Sequence, residues 1–277
     1  MPASTSMLSS SHPPQAARIL GAANRHPGVL AWIVCLLAAL PVAMLAWDAL
    51  AGELGANPLE RILRTPARWA LILLLVVLCA TPLRQILAYA ATRSALRVGR
   101  RPADWNWLIQ LRRPLGLASF FYASAHAALY LSLDLGFNWQ ELANDLRTKP
   151  YIVAGLAAIL LLVPLAITST DGWKRRLKRN WTRLHYLVYP AALLAVLHFV
   201  WLSKPGVSDP YIYSTFLAVL LGYRIAARNL RMQELRDTTG AYTGKPVEVK
   251  MPENFPERRF GAGHPVLSTN PESSLQS

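Results

Sequence analysis

Residues 70–83 read ALILLLVVLCATPL and residues 151–168 read YIVAGLAAILLLVPLAIT, two stretches without one charged side chain. Crossing the hydrocarbon core of a bilayer takes about 20 predominantly apolar residues, and both stretches extend to that length in their flanks. Four more segments of the same kind follow outward along the chain. They place spans near 29–48, 69–87, 115–134, 150–168, 184–202 and 211–227. The sequence predicts an all-α fold, a polytopic membrane bundle of six transmembrane helices. Composition agrees: 53% of the 277 residues are hydrophobic and 16% charged, against roughly 25% charged in a soluble domain. A disordered chain, a disulfide scaffold and an ordinary soluble enzyme are excluded. Trp69, Trp139, Trp181, Trp201, Tyr211 and Tyr213 fall near span ends, where amphipathic rings favour the headgroup layer. Pro41, Pro82, Pro164 and Pro190 fall inside spans and predict kinks, since neighbouring helices can re-satisfy the freed carbonyls. Cys35 and Cys79 lie in apolar runs without a partner at metal-ligand spacing, and are read as buried free thiols.

The formal net charge of +14 would suit a nucleic-acid surface, but its distribution follows the membrane. The second and fourth loops carry 7 and 6 Lys and Arg, against 3, 2 and 1 in the first, third and fifth. The second (Arg84, Arg93, Arg97, Arg100, Arg101, Arg112, Arg113) and the fourth (Lys174, Arg175, Arg176, Lys178, Arg179, Arg183) are therefore expected on the cytoplasmic side. Six spans then put both termini there. No nucleic-acid partner is needed to explain the charge. Ala49-Leu50-Ala51 has the form of a signal cleavage site, but the long leader and the length of the apolar run favour an uncleaved first span. The expected organisation is a mobile cytoplasmic tail at 1–28, a transmembrane domain at 29–227 and a cytoplasmic tail at 228–277.

Ionisable groups at bilayer depth are costly and mark function. Asp48 and Asp134 sit at span ends, which weakens the case for a cation-coupled transporter. Of six histidines, His12, His26 and His264 lie in the tails and are read as solvated. His126 in the third span and His185 and His198 in the fifth lie in the membrane. Neutral imidazole is a good axial ligand for haem iron, and two on facing helices make an electron-carrying site without an open position. The alternative is that each bridges to a carbonyl or hydroxyl on a neighbouring helix. Both spans run outward from a basic stop, at Arg113 and Arg183. With a rise of about 1.5 Å per residue, His126 and His198 differ in depth by about 3 Å, whereas His126 and His185 differ by about 16 Å. His126–His198 is the preferred pair; His185 could serve a second haem, with no second histidine opposite it in the third span.

Neither a GxGxxG nor a P-loop opens a strand–helix unit, and Gly261-Ala262-Gly263 lies in an irregular tail. A reductant must come from a separate protein or from quinol. With neither a GxSxG elbow nor an HExxH helix, an intramembrane hydrolase has no support.

GANP (55–58), RTPARWAL (64–71), TPLR (81–84), RRPLGLASFFYASAH (112–126) and ITSTDGWKRRLKRNWTRLHYLVY (167–189), with twelve residues between His185 and His198, together resemble the ferric-reductase-like transmembrane superfamily. Within it they resemble the MsrQ (YedZ) family, haem-binding membrane subunits of bacterial protein-methionine-sulfoxide reductase systems. The likeness covers roughly residues 30–227. Pro66 departs from it, standing where the family pattern has the Gly of a Thr-Gly pair. The resemblance implies an inner-membrane electron carrier with haem b and FMN, not an enzyme by itself. It would take electrons from a cytoplasmic flavin reductase or from quinol. Its acceptor would be the periplasmic molybdopterin reductase MsrP, which repairs oxidised methionines. It also implies that His126, His185 and His198 are haem ligands. Related oxidases carry two histidines on each of two helices, whereas the third span here carries one. No motif locates FMN; Arg and Lys of the second and fourth loops are candidates for its phosphate, with plain positive-inside charge as the alternative. Two other readings stand beside this one. One is a cytochrome b serving ferric iron or oxygen; the other is a haem-free transporter or scaffold whose histidines only bridge helices.

Overall fold

The computed structural model describes residues 15–94, 99–204, 206 and 208–242, with side chains from 18 to 236. His12, His264, Arg97 and Gly261-Ala262-Gly263 lie outside the described residues. Among those described, every regular element is helical.

Three long helices open on proline, whose fixed φ suits the first helical turn and whose missing N–H costs nothing there. They are α2 (Pro27–Ala51), α3 (Pro58–Arg93) and α7 (Pro150–Ile167), with α1 (Gln15–Arg25) before them. Between α3 and α7 come α4 (Asn106–Gln110), α5 (Arg112–Leu129), a π-helical turn (Tyr130–Asp134) and α6 (Trp139–Thr148). After α7 come α8 (Asp171–Leu177), α9 (Arg179–His185), α10 (Val188–Leu202) and α11 (Asp209–Tyr242). By contact the chain divides into Met1–Arg228 and Asn229–Ser277; of the second unit, 229–242 is described and is helical.

Four helices are long and apolar enough to cross a membrane: α2, α3, α7 and the α9–α10 stretch Arg179–Leu202. This makes the chain a multi-pass membrane protein in composition and length. The segment expected as a third span is α5 with its π turn. It carries Ser119, Tyr122, Ser124 and His126 among its apolar residues, so its polarity sets it apart from the four. Those polar groups are spent inside the bundle. Ser119, fully buried, donates its hydroxyl to the Ala70 carbonyl at 2.8 Å, and buried Tyr122 donates to the Ala38 carbonyl. Hydroxyls bonded across helices in this way hold α5 against α3 and α2.

The core runs through Leu71, Leu74, Leu75 and Leu78 of α3, Leu162 and Leu165 of α7, and Ala191, Ala192 and Val196 of α10. Leu217 and Leu220 of α11 complete it. Ala191 and Ala192 have no exposed surface; small residues there let the helix backbones approach. α2 is peripheral, with Ala38 and Pro41 its buried residues. Cys35 consequently lies on an exposed face rather than in the core, and Cys79 is half-buried; both are free thiols.

α2, α3 and α7 run through Pro41, Pro82 and Pro164 without a break. Pro190 behaves differently: ahead of it the chain tightens, with Tyr186 N–H bonding Arg183, Leu187 bonding Leu184 and Tyr189 bonding Tyr186. The expected fifth span is thus α9 followed by α10. A second difference concerns residues 15–25, expected within a mobile tail. They form α1, because an Ala-rich segment follows the Ser- and Pro-rich start. Asn24 fastens it by donating to the Asp104 carbonyl and accepting from Trp107 N–H, both at 2.9 Å.

Candidate functional site

α5 and α10 bring His126 and His198 together, with ring centroids 6.3 Å apart and planes at 64°. Each ring is oriented from behind by a backbone carbonyl on another helix. His126 Nδ1 lies 3.0 Å from the Leu63 carbonyl of α3, and His198 Nδ1 lies 2.6 Å from the Tyr151 carbonyl of α7. A carbonyl only accepts, so both rings carry their proton on Nδ1, and Nε2 of each is left as the lone-pair nitrogen. This is the arrangement in which an imidazole serves a metal, with the second nitrogen fixing tautomer and orientation.

α7 makes room for it. A Cβ on Gly155 would lie 2.8 Å from His198 Nδ1, closer than side-chain atoms approach. Glycine is required at that point because the imidazole packs directly on the α7 backbone, one turn from the Tyr151 carbonyl it bonds.

Among the described residues no group of three or more His, Cys, Asp or Glu is placed to hold a metal ion. A metal held by the two neighbouring imidazoles would have to bring further ligands of its own. An iron in a porphyrin does so. With metal–nitrogen bonds of about 2 Å and each nitrogen about 1 Å from its ring centroid, a metal between two imidazoles sets the centroids about 6 Å apart. The observed 6.3 Å fits.

His185 stands apart from the pair. Its Nδ1 lies 3.0 Å from the Trp181 carbonyl one turn back, and its ring stacks on Trp181 at 3.9 Å. Trp181 in turn donates its Nε1 proton to the Thr168 carbonyl at 3.0 Å. The described ring contacts of His185 are to Trp181 alone. His26 is exposed.

At the opposite end of the helices, Arg84 of α3, Arg112 of α5 and Arg224 of α11 turn inward. Arg84 donates to Asn106 Oδ1 at 2.8 Å; Arg224 donates to Tyr189 Oη, to the Leu78 carbonyl at 2.7 Å and to Thr81. Five buried nitrogens there have no hydrogen-bond partner: Arg84 Nε, Trp107 Nε1, Arg112 Nε and Nη2, and Arg224 Nε. All five are donors, and no acceptor is left over. No carboxylate pairs with these three arginines among the described residues. Burial, then the Arg224 and Arg84 charges, push the Arg112 pKa below its ordinary value, although a guanidinium stays charged. Unpaired donors beside uncompensated positive charge make this cluster a candidate site for an anion. The neighbouring Arg113 is exposed and pairs with Asp171 at 3.1 Å, and every fourth-loop Lys and Arg is exposed.

Gly155, the Leu63 and Tyr151 carbonyls, Trp107 and the inward reach of Arg224 were not legible as site features. Each depends on contacts between distant parts of the chain. Arg224 reads in the sequence as one more topological charge after an apolar run.

Residues 66–196 match the family described as ferric reductase like transmembrane component. A protein-methionine-sulfoxide reductase heme-binding subunit MsrQ of Xanthomonas axonopodis pv. citri is 46% identical over 199 residues, 70% of this chain and 84% of the relative. The subunit of the same name from Xanthomonas campestris pv. campestris is 45% identical over 212 residues, 74% of this chain and 88% of the relative. That of Caulobacter vibrioides is 39% identical over 197 residues, 71% and 85% of the two chains.

Proposed function

Because this chain belongs to the MsrQ family of ferric-reductase-like membrane proteins, we propose that it is the haem b-binding, electron-transferring subunit of a protein-methionine-sulfoxide reductase system. The observation that carries the reading is the histidine pair, 6.3 Å between ring centroids with each Nδ1 held by a carbonyl. His126 and His198 would hold the haem, which would supply one-electron chemistry.

The chain's own residues do the rest. The Leu63 and Tyr151 carbonyls hold the two Nδ1 protons and so leave each Nε2 free to ligate; Gly155 gives His198 its place against α7. The isolated position of His185 makes it a secondary ligand at most, for a second haem nearer the cytoplasmic face. The anion site at the other end suits the phosphate of FMN. Arg84, Arg112, Arg224 and the Trp107 indole supply the donors, and charge-assisted bonds from guanidinium to phosphate are strong.

The six-span bundle with cytoplasmic termini rests on the loop charges and on α5 and α11 joining the four apolar helices as spans; its placement in a bacterial inner membrane is what the family resemblance implies. In that orientation the arginine end faces the cytoplasm, where a flavin reductase or quinol donates electrons. The histidine end faces the periplasm, where MsrP accepts them. In this reading the chain acts as the electron-transfer subunit of a reductase system, and its chemistry is relay.

The test is a visible spectrum of the detergent-purified chain, oxidised and then dithionite-reduced, with pyridine-haemochrome quantification. A sharp reduced α-band with one or two haems per chain is expected. A featureless spectrum from haem-replete cells would overturn the reading in favour of a haem-free transporter or scaffold.

A further inference from the structure

Asp145 is the one buried carboxylate among the described residues, 3% exposed. It sits on α6, whose start is capped by Asn138 Oδ1 accepting from Gln140 N–H at 3.1 Å and Glu141 N–H at 3.2 Å. Its two oxygens face different helices. Oδ2 accepts from the Tyr130 hydroxyl at 2.6 Å, and Oδ1 pairs with Lys149 Nζ at 2.7 Å. Its backbone carbonyl also accepts from Lys149 N–H at 2.8 Å.

The positions of those two donors give the contacts a purpose. Tyr130 lies four residues beyond His126, where α5 widens into the π-helical turn; such turns reset the register of side chains and cluster at functional sites. Lys149 precedes α7 and stands two residues before Tyr151. Tyr151 gives its carbonyl to His198 Nδ1 at 2.6 Å and sets its ring 6.1 Å from the imidazole. An ionised carboxylate accepts only, so it can satisfy both donors together. The Lys149 ammonium, followed by the Tyr130 hydroxyl, holds the Asp145 carboxyl below the usual carboxylate range.

We infer that Asp145 is a positioning residue for the histidine pair, a strut tying the helix of His126 to the carbonyl that orients His198. The inference rests on those two histidines being haem ligands. A firm Nδ1–H···O=C bond makes an imidazole a more basic ligand, and a more basic axial ligand favours ferric over ferrous iron. Releasing the Tyr151 carbonyl then raises the haem potential.

The experiment is a redox titration followed by visible absorbance, with EPR of the ferric state, on the full chain in detergent. Asp145→Ala is expected to retain haem, shift the midpoint potential upward and alter the low-spin g values; Asp145→Glu restores part of both. Tyr130→Phe, which leaves the Asp145–Lys149 pair in place, shifts them the same way by less. A haem-replete Asp145→Ala with wild-type potential and g values overturns the strut even if the protein melts lower. Should Asp145→Ala not fold, wild-type values in Tyr130→Phe overturn it instead. A wild-type chain that binds no haem overturns the ligand reading, and the strut with it.

Discussion

The histidine end and the arginine end of the helices treat polar groups in opposite ways. At the first, each buried N–H already has its acceptor, a carbonyl from α3 or α7, and what remains is a pair of neutral lone pairs. At the second, five buried N–H groups have no acceptor and the charge is uncompensated. The first end satisfies its buried donors within the protein; the second leaves buried donors unsatisfied by it. Arg112 and His126 lie on the same helix, 14 residues apart and so about 21 Å along it. One helix therefore carries a member of each site, and the two can be perturbed separately.

The largest effect is expected at the first end. His126→Ala and His198→Ala should each remove most of the haem from purified protein, while His185→Ala removes less. Equal loss from all three, or none from His198→Ala, breaks the pairing. Gly155→Ala comes next. Its methyl would meet the His198 ring, and such displacement of an orienting contact weakens metal-site retention about 10-fold; haem per chain after extended dialysis measures it.

At the other end, Arg112→Gln should leave haem intact and lower FMN retention. Loss of one charge-assisted hydrogen bond costs about 1.5–3 kcal/mol, or roughly 10–100-fold in affinity. Arg113→Gln, one residue on, removes an exposed pair worth about 0–1 kcal/mol and should leave flavin fluorescence unchanged. Similar flavin loss from both would mean that burial does not distinguish these arginines.

The smallest effect concerns pH. Asp145 is held low by Lys149 and Tyr130, and Lys149 is held high by Asp145. A lowered acid contributes stability above its unfolded pKa, about 3.9, and loses it as pH falls through the folded value. A raised lysine contributes fully below about 10.4 and loses it as pH rises through its folded value. Thermal midpoints should be flat across neutral pH and fall at both limits, with Asp145→Asn blunting the acid limb. A wild-type acid limb in that variant would show the carboxylate to be immaterial to it.

The helical class was legible because uncharged runs such as 70–83 leave few alternatives. The meeting of His126 with His198 was legible because both spans leave a basic stop in the same direction, so residue counts become depths. Neither argument uses what lies sideways. Leu63 and His126 are 63 residues apart, Tyr151 and His198 47, and Leu78 and Arg224 146; no local pattern encodes such meetings. Loop charge was a poor guide to the buried arginine cluster for a related reason. Counting gives thirteen cations in the two basic loops equal weight, whereas burial separates Arg84 and Arg112 from the other loop cations among the described residues, which are exposed. Residues 15–25 show the same limit, since composition described the tail and missed the short Ala-rich helix within it.

The place of Arg224 on α11 has a consequence for biosynthesis. Leu63, His126, Tyr151, Gly155 and His198 are all synthesised before Arg224. The growing chain thus holds every residue of the histidine end while the arginine end still lacks one of its three guanidiniums. A product released anywhere between residues 199 and 223 carries all the residues of one cluster and lacks the last guanidinium of the other, so the arginine end is complete only in a chain translated past residue 224.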